Sequence, residues 1–299
     1  MSAVEGQLSS LGLKAIGLLI LTILCFDAMS ILVRLLSASY SAQELSAYRN
    51  VLGIFPSLVL LIYTGELKFR GSSLKIEQWK LALFRGLVVA VAQIFFYSAL
   101  AQLELATVAT LGQTNAFFVV ILSVLYLGEK VGAWRVAALV IGFAGVVWIL
   151  RPGSDAFTLA ALLPIGAAAC YAFAMVSVRK FGPQTSNGLL YLYSSAGSAV
   201  GAIFLAMFTT EFSPIHSIAD GALIFLMSTI GGIGVLLMMI AFRIASPSVL
   251  APFWYFGILT AGLFGWLIFD EAPLDTLFPG VLLIVGAGAL IIWREKRRT

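Results

Sequence analysis

Apolar runs of about twenty residues follow one another from Leu13 to Trp293, parted only by short polar breaks. An α-helix rises about 1.5 Å per residue, so a run of that length crosses a hydrocarbon layer about 30 Å thick. Only 11% of the chain is charged and 61% is apolar, with a mean hydropathy of +1.04. A water-soluble globule has no use for that many long apolar runs, whereas a bundle in lipid does. Backbone groups in lipid must be satisfied within each segment. Continuous runs therefore predict helices, and a barrel would need ten-residue alternations instead.

The 299 residues accommodate about ten crossings, with almost no chain left for a soluble domain. The expected spans are 14–36, 43–63, 80–102, 105–127, 132–150, 157–179, 187–208, 218–242, 247–269 and 275–293. Residues 1–13 have neither a basic start nor a small-residue cleavage site, which predicts that the first span is retained as an anchor. With the amino terminus in the cytoplasm, the inner segments hold Lys14, Lys68, Arg70, Lys75, Lys80, Lys130, Arg135, Arg179, Lys180, Arg243 and the tail Arg294, Lys296, Arg297 and Arg298. The outer side receives only Arg34, Arg49 and Arg151, and Arg85 lies near the inner end of the third span. This bias predicts that both termini are cytoplasmic. It also accounts for the net charge of +4 without a nucleic-acid partner.

Several function classes lack their residues. Cys25 and Cys170 both fall inside expected helices, and the single His216 falls in a loop, so no zinc set and no Cys/His catalytic pair is visible. No glycine-rich phosphate loop ends in Lys-Ser or Lys-Thr, and no nucleophile–base pair suggests an enzyme. The expectation is a protein without cofactor or metal whose partners are the lipid bilayer and a small molecule.

The two halves, 1–150 and 151–299, resemble one another. The segment Cys25–Arg34 aligns with Cys170–Arg179, matching Cys to Cys and Arg to Arg. Farther on, Leu105–Lys130 aligns with Pro247–Ala272, pairing Gln113 with Tyr255 and Glu129 with Glu271. Two blocks in the same order indicate duplication. Each half has five expected spans, an odd number, so the second copy must enter the membrane from the opposite side. Inverted repeats of this kind can exchange conformations about a site near the bilayer midplane, which points to a transporter.

The stretch Leu105-Ala-Thr-Val-Ala-Thr-Leu, the run from Phe117 through Gly128-Glu129-Lys130, and the helix with Gly142 and Gly145 resemble the end of an EamA repeat. The second half repeats the pattern from Ala251-Pro252-Phe253-Trp254-Tyr255 through Asp270-Glu271. Arg49 stands where second helices of that family often carry Arg. Along nearly its full length the chain resembles a ten-helix member of the drug/metabolite transporter superfamily, closest to the YddG-type amino-acid exporters. The resemblance implies an all-α membrane protein of two inverted five-helix repeats, in the cell inner membrane, exporting amino acids or similar small metabolites by alternating access. One departure is Ala116, preceded by Gln113-Thr114-Asn115, where the family's first repeat often has Pro.

Two groups of polar residues are candidates for the work. Asp27 lies near the middle of the first span, where an ionised Asp costs about 2.5–3.5 kcal/mol. It should pair with Arg49 or with Arg34, or else serve proton coupling or recognition of a substrate amine. The alternative function, proton-coupled export of lipophilic cations, would rest on this residue. The second group comprises Gln93, Tyr97, Gln113, Asn115, Tyr171 and Tyr255, with Met238 and Trp254 as apolar walls. Interhelical hydrogen bonding is the structural alternative for each. Glu129 and Glu271 are expected to begin the next helix and satisfy its free N–H groups. Pro56, Pro164 and Pro252 are expected to kink the helices that carry them.

Overall fold

A computed structural model describes residues 2–63, 76–128, 133–150, 158–181, 187–244, 253–271 and 277–296. Among these the chain forms α1 (Ser2–Leu36), α2 (Ala42–Leu52), α3 (Ile54–Tyr63), α4 (Trp79–Leu100), α5 (Leu105–Gly112) and α6 (Asn115–Leu127). The order continues with α7 (Ala133–Leu150), α8 (Leu162–Ser177), α9 (Asn187–Thr209), α10 (Ile218–Ile244), α11 (Phe256–Phe269) and α12 (Gly280–Lys296). No strand occurs among the described residues. Each of the ten expected spans contains helix. Six are long and apolar enough to cross a membrane by length and composition: Leu13–Leu36, Trp79–Leu100, Leu105–Tyr126, Leu159–Ser177, Leu189–Thr209 and Ile218–Met238.

Several of the expected spans are interrupted or shorter, for local reasons. The expected 43–63 helix divides into α2 and α3 at Gly53. Pro56 has no N–H to offer the Leu52 carbonyl and its ring crowds that oxygen, so the α-helical ladder cannot run through. The expected 105–127 helix divides at Gln113 and Thr114, where the backbone bonds tighten to the third residue back, from Gln113 N–H to Thr110 and from Thr114 N–H to Leu111, and side chains add to them. Thr114 Oγ1 donates to the Leu111 carbonyl at 2.7 Å, and Asn115 Nδ2 donates across to the Ala168 carbonyl of α8 at 3.0 Å. Tyr255, which the repeat aligns with Gln113, is likewise a turn residue just ahead of α11. Pro164 falls in the first turn of α8, after a 3₁₀ turn at Leu159–Ala161, a position that tolerates proline. Pro252 and Glu129 lie outside the described residues.

Polar groups inside the apolar helices are mostly satisfied locally. The hydroxyls of Thr22, Ser30 and Ser228 donate to the carbonyls of Leu18, Phe26 and Ile224, one turn back. Large apolar side chains such as Leu125, Val200, Met207 and Phe208 are exposed, as lipid-facing residues should be.

The principal neighbours are α1 with α10, α4 with α8 and α9, α7 with α12, α2 with α9 and α10, α6 with α8, α5 with α11, and α1 with α11. Exchanging the halves (α1 for α8, α2–α3 for α9, α4 for α10, α5–α6 for α11, α7 for α12) returns each of these pairs, although α2 also packs on α4 and α9 and α10 are not paired in the same way. The ends of the first helix of each half meet different ends of the fourth span. Arg34, at the end of α1, donates to the Leu103 carbonyl just ahead of α5 at 3.1 Å. Lys180, past the end of α8, stands over the Tyr126 ring, near the end of α6, at 5.1 Å.

Close approach of α4 and α9 depends on small residues. A β-carbon on Gly86 would collide with the α9 backbone at Ser194, Gly197 and Ser198, and Ser198 Oγ donates to the Gly86 carbonyl at 2.9 Å. Gly17, by contrast, has nothing within 4 Å of that position. Gly86→Ala is therefore expected to lower stability by about 1–3 kcal/mol, and Gly17→Ala to be neutral or stabilising by up to about 1 kcal/mol. Thermal melting of the purified variants in detergent checks both.

Candidate functional site

In the bundle interior a polar cluster joins the two halves. On α2, Ser46 and Asn50 lie one turn apart and face Gln93 of α4. Ser46 Oγ donates to Gln93 Oε1 at 3.1 Å, and Asn50 Nδ2 donates to the Ser46 carbonyl at 2.8 Å and also to Gln93 Oε1. Ser46, Asn50 and Gln93 are all buried. Arg49 extends the cluster, its Nη1 donating to Asn50 Oδ1 at 3.2 Å. One turn beyond Gln93 on α4, Tyr97 is fully buried and its hydroxyl meets Met29 Sδ of α1 at 3.9 Å. From the second half, Gly231 of α10 faces both Met29 Sδ and Arg49 Nε, and Tyr171 of α8 is near enough to feel the Arg49 charge.

Arg49 is the least satisfied member. Its Nε is buried without a hydrogen-bond acceptor, and no carboxylate pairs with it among the described residues. Its place in the last turn of α2 helps, because a cation there gains about 0.3–1 kcal/mol from the helix dipole. The residue as a whole is half-buried, so the desolvation falls chiefly on Nε, and the dipole offsets only part of it.

Asp27 is buried at mid-span in α1, with Thr260 of α11 beside its carboxyl. Its Oδ2 also lacks a partner. The expected ion pair with Arg34 or Arg49 is not formed. Arg34 shares the helical face of Asp27, but seven residues of rise separate them by about 10 Å. The Arg34 guanidinium instead pairs with Glu271 and stands 4.5 Å from the Phe269 ring centroid.

Glu271 corrects a second expectation. It caps a helix remote in sequence, while residues 272–276, which follow it, lie outside the described residues. Its Oε2 accepts the Leu105 N–H at the start of α5 at 2.9 Å, while Oε1 takes Arg34. The left-handed backbone of Asp270, with φ at +56°, turns the chain back over the end of α11 and delivers Glu271 there. Glu104, in the loop ahead of α5, is held above the usual carboxylate range, chiefly by burial and then by the Glu271 charge, with Thr107 and Arg34 opposing.

The other candidates form a second, separate group. Gln113 Nε2 donates to the Trp254 carbonyl at 3.4 Å, and Asn115 bridges to α8 as described. Trp254 packs on Ala15, Leu19, Ile23 and Ala241, away from Tyr97. Tyr255 packs on the cluster that contains Leu111, Phe117 and Ile258, and Met238 is half-buried farther along α10.

Sequence reasoning passed over Ser46, Asn50 and Met29, although the four-residue spacing of Ser46 and Asn50 beside Arg49 was a readable signal. It also passed over the Ser41–Glu44 capping box, written in the chain as Ser-Ala-Gln-Glu. The other oxygen of Glu44 accepts the Ser213 N–H at 2.6 Å. Nearby, the Tyr40 hydroxyl donates to Asp220 Oδ2 at 3.0 Å and accepts the His216 N–H at 2.9 Å. These contacts clamp the α1–α2 turn to the α9–α10 connection.

Arg34 and Glu271 join α1, α5 and α11 through a half-buried pair. A double-mutant cycle with Arg34→Gln and Glu271→Gln is expected to show a coupling of about 1–3 kcal/mol in detergent melting experiments. Glu271→Gln is expected to cost more than Arg34→Gln because it also weakens the cap on α5.

Residues 13–151 match the EamA-like transporter family. Over 275 residues the chain is 26% identical to a pseudopaline exporter of Pseudomonas aeruginosa, covering 91% of this chain and 94% of that one. An S-adenosylmethionine uptake transporter of Rickettsia bellii is 24% identical over 94% of each chain, and a riboflavin transporter of Vibrio cholerae is 29% identical over 80% of each. A protein of known crystal structure superposes with a TM-score of 0.62 at 17% identity over 98% of both chains, a likeness of fold alone. With helices apolar enough to span a bilayer and a first half that matches this family, the chain is a multi-pass membrane transporter of the EamA type.

Proposed function

We propose that this transporter exports amino acids, aromatic ones among them, or similar small amphipathic metabolites across the bacterial inner membrane by alternating access. Its two five-helix halves, 1–150 and 151–299, would be inserted in opposite senses, with both termini cytoplasmic. The observation that carries this reading is that most of the principal helix pairs recur when the halves are exchanged. The different ends of the fourth span reached by Arg34 and Lys180 support opposite directions for α1 and α8. The interruptions at Gln113 and at its repeat counterpart Tyr255 support a site near the midplane, where inverted-repeat carriers break their helices around substrate.

The relatives named above are transporters of small metabolites, and similarity to the pseudopaline exporter supports outward transport. In this reading Gln93, Gln113 or Asn115 meets the polar backbone of the substrate. Tyr97, Tyr171, Tyr255, Trp254 and Met238 enclose its side chain. A second reading draws on Asp27, whose unpaired Oδ2 at mid-span suits a proton carrier in an exporter of lipophilic cations.

Purified protein in proteoliposomes should move labelled L-phenylalanine above the rate of protein-free vesicles. Tyr97→Ala and Gln113→Ala are expected to slow it by about tenfold, the equivalent of about 1.4 kcal/mol in the barrier. No flux of any labelled amino acid under either gradient, with both variants unchanged in cells, contradicts the proposal. Loss of cation efflux and its pH dependence in Asp27→Asn, with amino-acid flux absent, favours the second reading.

A further inference from the structure

Arg49 has no task in the fold that uses its charge. One nitrogen, Nη1, is tied to Asn50, while Nε is buried with no acceptor and no carboxylate reaches the guanidinium among the described residues. Asp27, the buried acid of α1, faces Thr260 of α11 instead. A purely structural cation at this depth would be expected to have its counter-ion built in, as Arg34 has Glu271.

We propose that Arg49 is the docking point for the carboxylate of the transported molecule, so that substrates of this protein are carboxylic acids with an apolar body. The inference rests on the transport reading above and names the group by which substrate is recognised. The guanidinium offers five donors, and the edge formed by Nε and Nη2 matches a carboxylate in bidentate fashion. Anchoring Nη1 on Asn50 leaves that edge without a protein acceptor, with Nε covered by α10 in this conformation, so a ligand would reach it when the two halves part. Asn50 is held in turn by Ser46 and Gln93, which fixes the direction in which the fork points. The missing β-carbon of Gly231 lets α10 lie against Arg49 Nε and Met29 Sδ, so the fork faces the second half of the molecule. Met29 Sδ, which the buried Tyr97 hydroxyl meets, lies on the same Gly231 face as Arg49 Nε, and this apolar and aromatic surface suits an amphipathic acid better than a bare inorganic anion.

The test is a binding measurement on the purified full-length protein in detergent, read by thermal shift and by equilibrium dialysis. The probes are L-phenylalanine with its amide, 3-phenylpropionate with its amide, L-glutamate, phenethylamine and inorganic phosphate. The wild-type protein is expected to bind at least one acid about 10- to 100-fold more tightly than the matched carboxylate-free probe, and phosphate weakly or not at all. Arg49→Gln is expected to erase that discrimination, and Arg49→Lys to retain part of it. Melting of the ligand-free Arg49→Gln protein should be unchanged or raised, because an unpaired buried charge is removed; a structural role predicts the reverse. Equal binding of acids and amides, discrimination that survives Arg49→Gln, or tight phosphate binding overturns the proposal. Flux in proteoliposomes separates it from the transport reading. Acid binding that needs Arg49 without any flux defeats transport alone, whereas flux blind to the carboxylate defeats this inference alone.

Discussion

In hydrocarbon a polar group must be satisfied by the protein, because water is not there to do it, and this constraint orders the interior of the molecule. Most buried polar side chains obey it by local means: hydroxyls bond back one turn, and Gln93 is shared between Ser46 and Asn50. Arg85 is bound by the Ala174 carbonyl and Ser194 Oγ, both at 2.7 Å, and so fastens α4 to α8 and α9. Against that background the few exceptions stand out. Asp27 Oδ2, Arg49 Nε and Thr110 Oγ1 are buried without partners, and the first two belong to charged side chains placed at or near the centre of the bundle.

Where charges are paired, they tie the halves together. Glu271 from the second half closes on Arg34 and on the first N–H of α5 from the first half. Glu44 and Tyr40 from the first half hold the connection between α9 and α10 from the second. These are the contacts that an exchange of conformations between halves would have to break. The buried cluster around Arg49 lies away from them, beside residues of α1, α4, α8 and α10. The paired groups thus lie near the α1–α2 turn and the start of α5, and the unpaired Arg49 Nε lies apart from them.

Much of the fold was legible because composition alone selects lipid-spanning helices. Continuous apolar runs marked where helices fall, and Pro56 marked where one of them is interrupted, whereas the break at Gln113 and Thr114 was not foreseen. The site was less legible, because its geometry is set by contacts remote in sequence. Spacing on one helix suggested that Arg34 serves Asp27, but the partner it takes is Glu271, which the Asp270 turn delivers from the other half. Gln93 and Tyr97 were identified from their shared face on α4, yet Ser46 and Asn50, which hold Gln93, were passed over. Gln113 and Trp254 do meet, but apart from Tyr97, so a single cluster foreseen from polarity becomes two groups.

The account depends most on the opposite insertion of two five-helix halves. It is tested most directly by single-cysteine labelling after Cys25→Ser and Cys170→Ser, using a membrane-impermeant maleimide on cells with permeable outer envelopes. Ser39→Cys follows the first helix of one half, and Phe181→Cys follows the first helix of the other. The account predicts that Ser39→Cys reacts in intact cells and Phe181→Cys only after the inner membrane is opened. Labelling of both from the same side would contradict it.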